Sequence, residues 1–462
     1  MHFPEVLKQN RARIYGFLVA LMLLPVPGRS SGLEFERISL AEGLSQSSIQ
    51  TMVQGPDGYL WIGTQYGLDR YDGYTFSHWH ADSGSPHGLS HGFVRALQFD
   101  RDGMLWIDTG NGLNQLNPQT GRIRQFRLDD NEHRTGKISF QEDSLVEDSQ
   151  GNILAVSSLG PLRWERTRNR LERVPIAGGA ARHNLARLLA GVKGGIWLAN
   201  GHQVWRLDTQ FDQFTSVLDL SGKIDSTNGT GLAAPSIATA LPAGGIAWAC
   251  GAGLYLLGPE PEPGIRHLKP RQFGMPDNRI NAVATDSHGH LWLLLPSRIV
   301  RVGGPDHRQW KTMLELPASR NPDEAGGLSD ANGDGNDHPK PLDLAETRDG
   351  RVWLGGRFGV AVLEPGADHL RLLTHDPDDR SSLPPTLGEV GYKLMADRFG
   401  VLWVGTNLGG LARLPPQTSR FKHVRDPRPG TGSRNIVRAI AEQRHDGSEW
   451  AWVSNQNAGL TV

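Results

Sequence analysis

The chain has a single cysteine, Cys250, in 462 residues, so an internal disulfide is excluded. It lies in Trp248-Ala249-Cys250-Gly251, where a buried strand position is expected rather than a reactive thiol. Neither sign of charge prevails: Lys+Arg number 48, Asp+Glu 49, and the net charge is −1. No sustained basic stripe occurs, which argues against a nucleic-acid partner. Long apolar runs are lacking after residue 27. The one such run, Ile14 to Val26, follows Lys8, Arg11 and Arg13 and precedes Gly28, Ser30, Ser31 and Gly32. A basic start, a short apolar core and small residues at the exit describe a secretory signal over residues 1–32. The run is short of the roughly 20 apolar residues a spanning helix needs. An uncleaved anchor is the alternative, and the rest of the chain is expected to be exported and soluble.

Catalytic and metal signatures are also scarce. The 17 histidines show no metal-ligand spacing. His288-Gly289-His290 falls at an expected hairpin turn, where a solvated turn is favoured over a zinc pair. No nucleophile elbow, phosphate loop or dinucleotide fingerprint has a supporting context. Asp129-Asp130 and Asp378-Asp379 read as solvated loop acids. Asp330, Asn332, Asp334 and Gly335 match the start of a calcium loop. Pro341 stands where its bidentate Glu is required, so a flexible insert over 317–341 is the preferred reading. No cofactor and no metal are expected.

What is abundant is glycine, 57 residues, much of it in one repeated phrase. Gly-x-x-Trp, an apolar run, a polar turn and often Gly-Leu or Gly-Val recur at Trp61, Trp106, Trp197, Trp248, Trp292, Trp353 and Trp403, and at Trp452 with Glu449 in the glycine's place. Leu154 holds the same place in a ninth copy. The steps run from 43 to 61 residues. A period in the forties marks a β-propeller, in which each unit is a four-stranded antiparallel blade.

The first unit shows how. Ile49 to Val53 is β-prone, Asp57-Gly58 is a hairpin turn, and Leu60 to Thr64 is the next strand. Gln65-Tyr66-Gly67 turns the chain, Leu68 to Tyr71 returns, and Tyr74 to Trp79 is the outer strand. Later outer strands are expected at Ile123 to Phe126, Leu171 to Val174, Phe214 to Leu218, Leu370 to Leu373 and Phe421 to Val424. The tryptophans sit mid-strand and are expected to fill the space between blades rather than stack on a ligand.

These residues resemble the two-component regulator propeller repeat. The likeness rests on Gly43-Leu44-Ser45, Asp57-Gly58-Tyr59-Leu60-Trp61-Ile62-Gly63-Thr64 and Gly67-Leu68-Asp69-Arg70-Tyr71-Asp72-Gly73. It recurs at Gly88-Leu89-Ser90, at Asp102 to Ile107 and at Gly400 to Thr406. The resemblance implies the periplasmic sensor region of a hybrid histidine kinase or diguanylate cyclase receptor. Such receptors carry two propellers, a β-sandwich, a membrane helix and a cytoplasmic output domain. It further implies a small-molecule or oligosaccharide ligand and allows a dimer in the full-length receptor. Membrane contact would come through that receptor or an uncleaved signal.

The expectation for this chain is an all-β fold. A seven-bladed ring is followed by about two blades of an incomplete second propeller. Residues 33–345 would hold the first propeller and 346–462 the further blades, cut short in the ninth repeat, as in a fragment of a larger sensor. Phe35-Glu36-Arg37-Ile38 is expected to clasp the last blade of a ring. Ligand contacts are expected on the face that carries the turn between the second and third strands of each blade, because loops there sit on a rigid scaffold. Tyr66, Asn111, Arg357 and Asn407 are the candidate ligand-binding residues, and no catalytic residue is expected. A secreted propeller enzyme, a lyase or glycosidase using a channel acid or His, is the rival reading. A non-functional fragment is a third.

Overall fold

The computed structural model describes residues 33–82, 88–126, 140–157, 160–178, 187–191, 195–200, 202–210, 212–220, 237–250, 253–259, 264–275, 280–304, 306–316, 342–386, 391–416, 437–445, 448–455 and 459–461. The signal segment, the insert at 317–341 with its calcium-like loop, Asp129-Asp130 and the strand expected at Phe421 to Val424 lie outside them.

Each sequence unit becomes one antiparallel sheet. In blade 1 the strands Ile49–Gln54, Leu60–Thr64, Leu68–Tyr71 and Phe76–Trp79 pair in chain order. Blades 2 to 7 repeat the plan. The inner strands, from blade 1 onward, are Ile49–Gln54, Val94–Phe99, Phe140–Glu147, Arg187–Ala190, Ile237–Ala240, Ala282–Thr285, Asp343–Glu346 and Lys393–Ala396. Each inner strand packs against the next, and that of blade 8 packs against that of blade 1. The described residues therefore form a closed β-propeller of eight four-stranded blades.

The expected ring of seven is corrected to eight, and the boundary expected at residue 345 falls inside the seventh blade. The repeat period specifies a blade, but ring size depends on the wedge angle between blades and on where closure occurs. Closure is visible in the eighth. Its strands Lys393–Ala396, Leu402–Gly405 and Leu411–Leu414 are completed by Glu36–Ile38 from the start of the chain. Arg413 meets Glu36 at 2.7 Å. Arg37 donates to the backbone carbonyls of Asp379, Ser382 and Leu383, and Phe35 N–H donates to Ser381 O. Asp379, expected to be a solvated acid, shapes this loop by accepting from Ser381 Oγ and N–H. Residues 417–462 form a separate compact unit. It contains a three-stranded sheet of Val437–His445, Ser448–Asn455 and Gly459–Thr461, so one unit rather than two lies beyond the ring.

The tryptophans are interior. Trp61, Trp106, Trp248 and Trp292 are fully buried, Trp197 and Trp353 nearly so, and Trp403 is 6% exposed. Trp61 shares a cluster with Leu105 and Ile107 of blade 2, and Trp403 shares one with Ile49, Ile62 and Tyr71 of blade 1. One blade's ring thus fills its neighbour's face, and the last does so across the closure. Cys250 is buried among them, as expected.

The indole nitrogens reveal a second device. In three blades the residue six before the tryptophan is an acid that organises the first hairpin turn. Asp100 accepts from the N–H of Asp102 and Met104 at 3.0 and 2.9 Å, and from Trp106 Nε1 at 2.8 Å. Asp286 and Asp397 do the same for Trp292 and Trp403, and Thr347 Oγ1 serves Trp353. In the unit where Leu154 replaces tryptophan, Asp148 receives the Asn152 side-chain amide instead. Blade 1 has Gly55 at this place, and Trp61 Nε1 is buried without a hydrogen-bond partner. The His290 Nδ1 lies 2.9 Å from Asp286, so that histidine belongs to the turn.

Candidate ligand-binding face

The second turn of each blade is built by a hydroxyl and a glycine. Thr64 Oγ1 donates to Gly67 O and accepts from Tyr66 N–H. Thr109 does the same with Gly112 and Asn111, and Thr406 Oγ1 donates to Gly410 O. Gly112 and Gly410 have φ of +132° and +78°, which a side chain rarely adopts. These bonds hold short tips that project Tyr66, Asn111 and Asn407. The hairpin between Val352–Gly356 and Gly359–Leu363 projects Arg357.

Which end of the ring these tips occupy follows from the crossovers. The segment entering blade 1 lies against the tip of blade 8: Ile49 N–H donates to Thr406 O, and the N–H groups of Leu408 and Gly410 donate to Ser47 O. Ser48 forms an isolated bridge with Asn407. A Cβ on Gly92, in the crossover to blade 2, would stand 3.5 Å from the Tyr66 backbone. One on Gly391, in the crossover to blade 8, would meet the Gly356 backbone at 2.5 Å. Tips and crossovers therefore share a face.

The Gly-Leu-Ser phrase anchors those crossovers. Asp69, fully buried, accepts from Ser45 N–H and Oγ at 2.9 and 2.8 Å and meets His78 Nδ1 at 2.7 Å. In blade 2, Asn114 accepts from Ser90 N–H and donates to Ser90 Oγ. Leu44 and Leu89 between them are buried. The serine and its partner stand 24 residues apart in both units.

Tyr66, Asn111, Arg357 and Asn407 thus lie on blades 1, 2, 7 and 8, which are consecutive around the closed ring. Tyr66 is 63% exposed, Asn111 and Arg357 are exposed, and Asn407 is half-buried. Their contacts fall within their own blade junctions. Tyr66 has the His80 ring 5.3 Å away. Sequence reasoning missed His80, the crossover residues His91 and Phe93, and Arg95 at the start of the blade 2 inner strand. The Arg95 guanidinium stands 5.6 Å over Phe93. Their position after Gly-Leu-Ser was the available signal.

Inside the ring the inner strands enclose a cavity of about 330 Å³. Its lining includes Gln50, Arg187, Thr239, Thr285, Asp343 and Lys393, from blades 1, 4, 5, 6, 7 and 8. Arg187, Asp343 and Lys393 are each the first residue of an inner strand. Among the described residues no group of three His, Cys, Asp or Glu side chains could hold a metal ion, and no helix is long and apolar enough to cross a membrane.

Comparison with known proteins bears on the repeat itself. Residues 43–66 and 88–111 match the family model described as two component regulator propeller. A stretch of 59 residues is 36% identical to a histidine kinase of Formosa agariphila, covering 13% of this chain and 4% of that protein. Among solved structures, the extracellular domain of a putative hybrid two component system from B. thetaiotaomicron is similar at a TM-score of 0.49 and 15% identity. That match covers 93% of this chain and 49% of the other. Virginiamycin B lyase from Staphylococcus aureus is similar at a TM-score of 0.44 and 10% identity, over 70% of this chain and 94% of that one. The chain spans about half of the first solved structure and a small part of the kinase.

Proposed function

We propose that this chain, whose first two units match the two-component regulator propeller model, is the extracytoplasmic ligand-sensing propeller of a bacterial two-component-type receptor. The match of residues 43–66 and 88–111 carries this reading. The matched residues are those that build the Gly-Leu-Ser crossover and the tip ending in Tyr66 or Asn111, so the matched repeat frames one face. Residues 1–32 would export the chain to the periplasm. The output domain, kinase or cyclase, would belong to the full-length receptor, where a dimer is allowed.

The proposed ligand is a small molecule or an oligosaccharide. Tyr66 would stack on a sugar ring, the amides of Asn111 and Asn407 would bond hydroxyls, and Arg357 would fork two oxygens. The role is binding rather than turnover. A ligand with different affinity for two receptor arrangements shifts their populations, and by no more than that difference. Calorimetry of the purified chain against an oligosaccharide panel tests this. A binding sugar should lose at least 10-fold affinity in Tyr66→Ala and Arg357→Ala, with thermal stability unchanged. Product formation that vanishes with Asp343→Asn would replace the sensor by an enzyme.

A further inference from the structure

Cations in the outer half of the ring recur in one arrangement. A side chain of one blade reaches the turn that precedes the outer strand of the next. Arg124 of blade 2 donates to Asn169 Oδ1 at 2.6 Å. Arg163 of blade 3 forks the Asp212 carboxylate, with Nη2 2.7 Å from Oδ2. Arg266 of blade 5 donates to Asp306 O, and Lys311 of blade 6 lies 3.9 Å from Asp368. Asn169 and Asp212 both hold a left-handed place in that turn, at φ of +53° and +52°.

The junction of blades 1 and 2 has the cation without the acceptor. Arg70 pairs in register with Trp61 on one side and Ser77 on the other. Its guanidinium stands 5.1, 5.7 and 5.8 Å from the ring centres of Tyr59, Trp61 and Trp79. Nη2 reaches Ser77 Oγ at a long 3.4 Å, and Nε is buried without a partner. Among the described residues no carboxylate pairs with Arg70. The left-handed place in the facing turn of blade 2 is Gly121, at φ +70°. A Cβ there would stand 3.9 Å from Trp79 Nε1, so the turn is in position but brings no side chain. Trp61 is fully buried with its Nε1 unpartnered, so blade 1 is short of an acceptor twice. Buried donors in folded proteins are nearly always bonded, and a guest can bring the missing partner.

We propose that the junction of blades 1 and 2 binds a small carboxylate with a flat apolar body. The carboxylate would sit on the Arg70 fork, as Asp212 sits on Arg163. The body would lie against Trp79, which is half-buried, and Tyr59, which is exposed. The side-chain acceptors at the next two junctions, an amide and a carboxylate, are planar, which favours a planar guest group over a tetrahedral oxyanion. This site is separate from the turn-tip residues and does not depend on the sensor reading.

Ligand-observed NMR titration of the intact chain with benzoate, benzamide, acetate and sulfate tests it. Benzoate should bind at least about 10-fold tighter than benzamide, which lacks the charge, and than acetate or sulfate, which lack the ring. Arg70→Gln should weaken benzoate at least about 10-fold, and Arg70→Lys, which keeps the charge but loses the fork, should fall between. Gly121→Asp supplies the chain's own carboxylate at a left-handed place like that of Asp212, and should displace benzoate by a similar factor. Benzamide, acetate or sulfate binding as tightly as benzoate overturns the proposal without any variant. Benzoate binding to Arg70→Gln or to Gly121→Asp as tightly as to the native chain, with native circular dichroism, overturns it as well.

Discussion

Replacing Asp100 by alanine should cost about 3–5 kcal/mol of unfolding free energy. The carboxylate is 8% exposed and accepts from two backbone N–H groups and the Trp106 indole. The two lost backbone hydrogen bonds are worth about 1 kcal/mol net each, and the indole N–H left buried and unbonded costs about 1–3 kcal/mol. The fold supplies its own control. In blade 1, Gly55 replaces the acid and Trp61 Nε1 has no partner. Trp106→Phe gives up a satisfied bond and strands an Asp100 oxygen, whereas Trp61→Phe removes an N–H already buried at a cost. Trp106→Phe should therefore be the worse substitution by about 1–3 kcal/mol. Urea unfolding followed by circular dichroism measures all three. An Asp100→Ala cost below about 1 kcal/mol, or equal costs for the two tryptophans, would refute the reasoning about the turn acid.

Further outcomes follow from closure and from burial. Glu36 and Arg413 are register partners, so the double substitution Glu36→Cys, Arg413→Cys should oxidise in the native protein and add roughly 2–4 kcal/mol. A mass spectrum of the non-reduced protein showing no such cross-link would contradict the eighth-blade clasp. Gly410 has φ +78°, and a Cβ there would meet Ile38 O at 2.7 Å. Gly410→Ala should thus loosen the same clasp by about 1–3 kcal/mol, read by thermal melting. Burial holds the His307 imidazole below its ordinary pKa of 6.5; the Gly289 carbonyl opposes the shift, and Arg266 and His290 add to it. The unfolded chain then takes the proton more readily, so this contribution is full above pH 6.5 and is lost as the pH falls toward the folded value. His307→Asn keeps a residue that tolerates the φ of +53° and should flatten that slope, measured by urea unfolding between pH 7 and pH 5.

The blade was legible because its signals are local. Gly-x-x-Trp, the acidic turns and Gly-Leu placed strands such as Ile123–Phe126 directly. The number of blades in the ring was not, since it depends on an angle between sheets and on a pairing between Ile38 and Leu411, far apart in the chain. The turn acids Asp100, Asp286 and Asp397 stood at a fixed offset from their tryptophans. They were overlooked because the second acid, beside glycine, was the louder repeat. Tip residues such as Tyr66 could be assigned to a face from strand order alone. The channel residues Arg187, Asp343 and Lys393 could not, because each belongs to a different blade and none recurs at its position.

The central claim is that a ligand is read on the face formed by the tips of blades 7, 8, 1 and 2. Hydrogen exchange with and without a sugar identified by calorimetry tests this most directly. The account predicts slower exchange at residues 64–67, 109–112, 356–359 and 406–410, with the first-turn segments on the opposite face unchanged. Protection confined to the opposite face, or to the separate unit at 437–461, would contradict it.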